Sequence, residues 1–228
     1  MLACVTFLCY NQDVMSETPS PTPNNSFDVI NLLVGSLVQV TTVAAEQELR
    51  AKQEQERLHH EATHDELTGL LNRRGLEEVL ANNEPPKAIL YVDVTGLKIV
   101  NDKLGHPRGD DAIKKTTNVL VKSLRPDDVV ARVGGDEFLV LLDTKRRSGE
   151  PPLTPEDHLD PVTSRIAQET LVVLEKNPDL RAVGFDIAVG GAVWQEGMSV
   201  NDLSKVAEKA MYEQKGEQHQ VSGLPHRS

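Results

Sequence analysis

The chain has 228 residues, 39% hydrophobic and 26% charged, which suits a folded domain with extra sequence at one end and excludes a disordered or fibrous protein. Asp and Glu outnumber Lys and Arg by 35 to 24, a formal charge of -11, so the surface as a whole attracts neither nucleic acid nor anionic membranes. Any phosphate it holds must be met locally, by a metal ion, a helix N-terminus or a few placed cations.

The two cysteines, Cys4 and Cys9, sit at the start and cannot staple a later core. A reducing cytoplasm is the expected location. The apolar opening lacks a positive n-region and is too short for a secretory core. Residues 1–25, with Pro19, Pro21 and Pro23, read as a flexible N-terminal segment.

Residues 26–62 read as a helix, with Gly35 as the one interruption. Ile30, Val34, Leu37, Thr41 and Ala44 alternate four- and three-residue steps. That seam predicts a coiled-coil linker joining two copies. The apolar run 29–45 contains Asn31, Gln39, Thr41 and Thr42. It is short and polar for a membrane span, so no stable span is expected.

The globular part is placed at 63–228, ending in a flexible tail. Leu67, Leu70, Leu71, Leu76, Val79 and Leu80 predict a turn followed by a helix. The run 88–94 is of strand type and carries Asp93 near its end. Asp110 or Asp111 opens a helix to about 124. Runs 129–133 and 138–142 flank a Gly-containing turn, a hairpin signature. A polar loop at 145–161, a helix at 162–174, a strand-like stretch at 182–193 and a helix at 203–214 capped by Asp202 complete the chain. Strands and helices mixed around a hairpin predict an α+β sandwich.

The turn holds Gly134, Gly135, Asp136 and Glu137. Alone it is ordinary hairpin chemistry, since exposed turns are polar. Asp93 gives it another meaning. A carboxylate on an apolar strand is costly without a partner, and pairing that strand with the hairpin would gather Asp93, Asp136 and Glu137. Acids brought together want a cation, and carboxylates completed by phosphates are what Mg²⁺ takes.

Five motifs in order carry a resemblance: Asp65 to Arg74; Asp93 to Asp102, including Gly96, Leu97, Lys98 and Asn101; Gly105-His106 with Gly109-Asp110; Arg132 to Phe138; and Ala207 to Tyr212 before Lys215. From about 64 to 215 the chain resembles the GGDEF family of diguanylate cyclases. The resemblance implies a fold similar to the adenylyl-cyclase palm, with a central mixed or antiparallel sheet, flanking helices and a preceding helix. It implies condensation of two GTP into cyclic di-GMP with Mg²⁺ or Mn²⁺, in bacterial signalling. Asp93, the Val94 carbonyl and Asp136 would hold the metal, with Glu137 beside the reacting hydroxyl. Asn101 and Asp110 would read guanine, and Lys98, Lys215, Gly96 and Leu97 would meet the triphosphate. Arg125 and Asp128 stand in the family's Arg-x-x-Asp arrangement, where product binds and inhibits; read alone they are a turn with an ion pair.

Each domain would hold one GTP, so a homodimer through the N-terminal helix would assemble the whole site. No nucleic acid partner is expected. Three positions depart from the pattern: Thr95 replaces an acid, Leu97 a Phe, and His219 an Arg. A degenerate domain that binds GTP or cyclic di-GMP without turnover is the alternative.

Overall fold

The computed structural model describes residues 26–142 and 155–222. The expected N-terminal segment, most of the polar loop and the C-terminal tail lie outside them. The chain divides into two units, Met1–Glu56 and Arg57–Ser228.

All of the first unit's described residues belong to helix α1, Ser26–Thr63. Its apolar side chains are exposed throughout, Leu32 and Val40 each by 66%. Among the described residues this helix alone is long and apolar enough to cross a membrane, over Val29–Thr63. Length and composition therefore allow what the count of polar residues argued against.

The second unit carries a four-stranded sheet in the order β2-β3-β1-β4. The strands are β1 (Ala88–Thr95), β2 (Val129–Arg132), β3 (Glu137–Leu142) and β4 (Asp186–Val193). Every pairing is antiparallel, so of the expected alternatives the antiparallel sheet holds. β1 is central and buried on both faces, which explains its nearly unbroken apolar run. Leu90, Val92, Phe138 and Val140 face one core, which helices α3 (Leu97–Leu104), α4 (His106–Ser123), α5 (Pro155–Lys176) and α6 (Pro178–Ala182) cover. Ile89, Leu139 and Leu141 face the other, closed by α2 (Arg73–Asn82) and α7 (Val200–Ser222). Period-two alternation sorts the side chains to the two faces. A fully buried Phe138 or Leu90 contributes about 1.5–3 kcal/mol.

Several boundaries differ from expectation. α3 is a separate helix that holds Asn101 and Asp102 within it. α4 begins at His106, with Pro107 in its first turn, so Asp110 lies within the helix. α6 ends at Ala182, and the strand expected from there begins only at Asp186. Ser199, not Asp202, caps α7: its Oγ accepts from the Asp202 amide at 3.2 Å and donates to the Asp202 carboxylate at 2.6 Å, a reciprocal capping pair.

Candidate nucleotide and metal site

The register of β1 against β3 sets Asp93 opposite Glu137. The Val94 amide donates to the Asp136 carbonyl at 2.9 Å, closing the hairpin onto the end of β1. Asp93 is buried and Asp136 and Glu137 are half-buried. Strand pairing thus brings the main chain of the three predicted acids to one end of the sheet. Tyr91, two residues before Asp93, shares its face. Burial pushes the Tyr91 hydroxyl well above its ordinary pKa, and the charge and hydrogen bond of Glu137 add to that. Tyr91 and Glu137 are thus neighbours on this face. The residue types alone did not mark Tyr91; its spacing from Asp93 was the available signal.

Asp93 already has a cation. Lys215, on α7, donates from Nζ to Asp93 Oδ2 at 2.6 Å. The Asp93 side chain is 9% exposed, so losing this partner would leave a buried charge, at a cost of about 3–5 kcal/mol. Thr95 ends the same strand face, and its buried Oγ1 has no partner among the described residues. These are hard oxygen donors at a place that draws positive charge, and they fit Mg²⁺. No three His, Cys, Asp or Glu side chains among the described residues form a ready cage. Mg²⁺ does not need one, since one or two carboxylates plus substrate phosphates commonly suffice.

β1 turns into α3 through Gly96, at φ +81°. A Cβ there would come within 2.7 Å of the Gly184 carbonyl, so the left-handed turn and the close approach both require glycine. The amides of Leu97 and Lys98 open the helix N-terminus, where a phosphate is favoured. One turn on, Asn101 lies against α4. A Cβ on Gly109 would fall 1.9 Å from Asn101 Oδ1. Glycine thus lets the Asn101 amide reach the main chain one residue before Asp110. Arg108 braces this helix start: its Nε and Nη2 donate to both Asp179 oxygens at 2.7 Å, and it also pairs with Asp111. The hydrogen bond from Arg108 holds the Asp179 carboxyl below the usual range.

An open cleft of about 420 Å³ lies between these helices and the hairpin turn, lined by Leu97, Lys98, Asn101, Asp136 and Arg132 among others. That size suits a small-molecule ligand. Asp93, Gly96, Asp110, Glu137 and Lys215 are not on its wall. Asp93 is buried near the end of β1, and Asp110 is exposed on α4.

Two arginines hold the turn in place. Arg132 donates to Asp65 at 3.0 and 3.1 Å and to the Gly135 carbonyl at 2.6 Å. Burial raises the Asp65 carboxyl, but hydrogen bonds from Thr68 and Arg132 outweigh it and hold it below its ordinary value. Arg73 donates to the Val133 carbonyl at 3.1 Å. Arg74, the next residue, pairs with Glu78 on its own helix. The ties from Arg132 to Asp65 and Gly135 were not foreseen, because their partners are far apart in the chain or main-chain atoms.

Arg125 and Asp128 precede β2, at the sheet end opposite the turn. Asp128 accepts from the Arg125 amide at 2.8 Å, a turn that leaves the Arg125 side chain exposed. The structure therefore separates these two residues from the acids at the turn. The His219 side chain lies outside those described.

The family model described as "Diguanylate cyclase, GGDEF domain" matches residues 62–220. The chain belongs to the GGDEF family. It is 34% identical over 164 residues to DgcT of Escherichia coli, a probable diguanylate cyclase, covering 68% of this chain and 34% of that protein. It thus spans about a third of that relative's length. The coiled coil and GGDEF domain of DgcB from Caulobacter crescentus, solved in complex with c-di-GMP, shares the fold. Its TM-score is 0.65 at 23% identity, over 80% of this chain and 95% of that one. The GGDEF domain of TpbB (YfiN) from Pseudomonas aeruginosa aligns with a TM-score of 0.52 at 29% identity, over 68% of this chain and 89% of that one.

Proposed function

We propose that this GGDEF protein is a diguanylate cyclase, joining two GTP into cyclic di-GMP with release of two pyrophosphates. The observation that carries the reading is Asp93. It is buried at the end of β1, opposite Glu137 and already in contact with a cation. A carboxylate buried there must be offset by positive charge, and a site that draws cations gives a reason to keep it.

Asp93, the Val94 carbonyl and Asp136 would hold Mg²⁺, with Mn²⁺ as a substitute. The ion supplies charge neutralisation at the phosphates and a more acidic attacking hydroxyl. The protein's own share is mostly positioning. Asp110 accepts from guanine N1–H and N2–H, and the Asn101 amide offers a donor and an acceptor. Adenine lacks that donor pair. Lys98 and the amides at the start of α3 meet the triphosphate. Lys215, the partner of Asp93, also meets the triphosphate. Glu137, the neighbour of Tyr91, lies beside the 3′-hydroxyl that attacks the α-phosphorus of the second GTP. That second GTP belongs to another copy, so two chains face each other when active. The domain works in the cytoplasm, where GTP is. Arg125 and Asp128 form a separate product-binding brake, since an exposed Arg can fork onto a phosphate.

The test is to incubate protein with GTP and Mg²⁺ and follow cyclic di-GMP by chromatography. Asp136→Ala should lower turnover at least about 100-fold, as loss of a charge-stabilising group does, with the circular dichroism spectrum unchanged. Nucleotide binding without product in the wild type would favour the degenerate-domain alternative. Unchanged turnover in the variant would remove Asp136 from the metal site.

A further inference from the structure

We propose that residues 29–45 of α1 cross a lipid bilayer and tether the globular unit to its cytoplasmic face. The segment holds seventeen residues without a charge, between Asp28 and Glu46. As helix it extends about 26 Å, close to the roughly 30 Å hydrocarbon core and at the lower limit of spanning lengths.

The distribution of apolar side chains argues against a helix meant only for water. Ile30, Leu32, Leu33, Val34, Leu37 and Val38 are all more than half exposed. At about 100° per residue they cover roughly two thirds of the circumference. A two-stranded coiled coil buries a narrow a/d stripe, so pairing alone would leave most of this surface in water. A helix apolar nearly all round is expected in a core or a membrane. The polar residues in the run are compatible with lipid. Thr41 donates to the Leu37 and Val38 carbonyls at 3.0 and 2.9 Å, and Thr42 to the Val38 carbonyl at 2.7 Å. Both hydroxyls are satisfied within the helix, as hydrocarbon demands. Asn31, Gly35, Gln39 and Thr42 fall on the remaining third. This small and polar strip is the side left for a second copy, because small residues and amides make helix contacts in membranes. It differs from the seam expected at Ile30, Val34 and Leu37, which would face lipid.

Charge supplies the orientation independently. No Lys or Arg precedes Arg50, whereas Arg50, Lys52 and Arg57 follow the run within a short distance. Basic residues near a span remain on the cytoplasmic side, and the globular unit follows them. The overall acidity of the chain does not oppose this, because insertion is driven by apolar burial.

The full chain is expressed in a bacterial host, and its membranes are washed with alkaline carbonate and then with detergent. The protein should stay in the carbonate pellet and leave only with detergent. The Leu33→Lys, Leu37→Lys double variant should lower the pelleted fraction by about tenfold or more, since charges at mid-span oppose insertion. Cys4 and Cys9, the chain's two cysteines, both precede the run. A membrane-impermeant maleimide should label them in intact spheroplasts. A wild-type chain found in the carbonate supernatant, as a soluble dimer or otherwise, overturns the span. Labelling only after the membrane is broken overturns the orientation. Neither readout depends on nucleotide turnover, so a failure here is separate from a failure of the cyclase reading.

Discussion

Asp186 stands beside Thr95 in the register of β4 against β1, and burial pushes its carboxyl above the ordinary value of 3.8. An acid whose folded pKa is raised contributes stability that is complete below the unfolded value and lost as pH rises through the folded value. At neutral pH its charge is therefore a cost. Asp186→Asn should raise the thermal midpoint at pH 7, with the gain shrinking as pH falls towards 3.8. Calorimetry at several pH values checks this, and a gain independent of pH would show that charge is not the cause. Residue identities made Asp93, Asp136, Glu137, Asn101 and Asp110 readable, because each has a polar atom suited to a metal or a guanine edge. Tyr91, Asp65 and Arg132 were not readable as participants. Their roles come from neighbours that only the fold supplies: Glu137 for Tyr91, and Asp65 and Gly135 for Arg132.

Among the elements, the contact between α3 and α4 determines whether the proposed guanine readers, Asn101 and Asp110, meet. Gly109→Ala leaves α4 able to form, since Ala is the better helix former by up to about 1 kcal/mol. Its Cβ must nonetheless displace the Asn101 amide, which lies 1.9 Å from that position. The KM for GTP should rise by about tenfold or more, the scale of a mispaired polar recognition site. Steady-state kinetics and a melting curve test it together: unchanged KM with unchanged stability would mean Asn101 does not read the base. α3 was missed in the sequence because Gly96 and Gly105 bracket a helix of only 8 residues, too short for its periodicity to show. The hairpin was legible because two β-rich runs flank a Gly-Gly turn, a strictly local signal. α6, with 5 residues, carries no periodicity at all.

For the molecule as a whole, the proposed reaction needs two domains, and α1 is the element available to join them. A chain restricted to residues 57–228, the compact second unit, should still bind GTP. At equal concentration its turnover should fall by about tenfold or more, because tethering raises the effective concentration of one domain for another. Equal turnover with and without α1 would separate the helix from catalysis. The sequence by itself determined the family and the hairpin and nominated the residues proposed for the chemistry, since these depend on side-chain type and short-range spacing. Tertiary structure alone decided that β1 lies between β3 and β4, that Lys215 reaches Asp93 across 122 positions, and that Arg125 and Asp128 sit at the far end of the sheet. The physical reason is that strand pairing and helix docking join groups far apart in the chain, and local propensity and pattern do not specify which distant groups will meet.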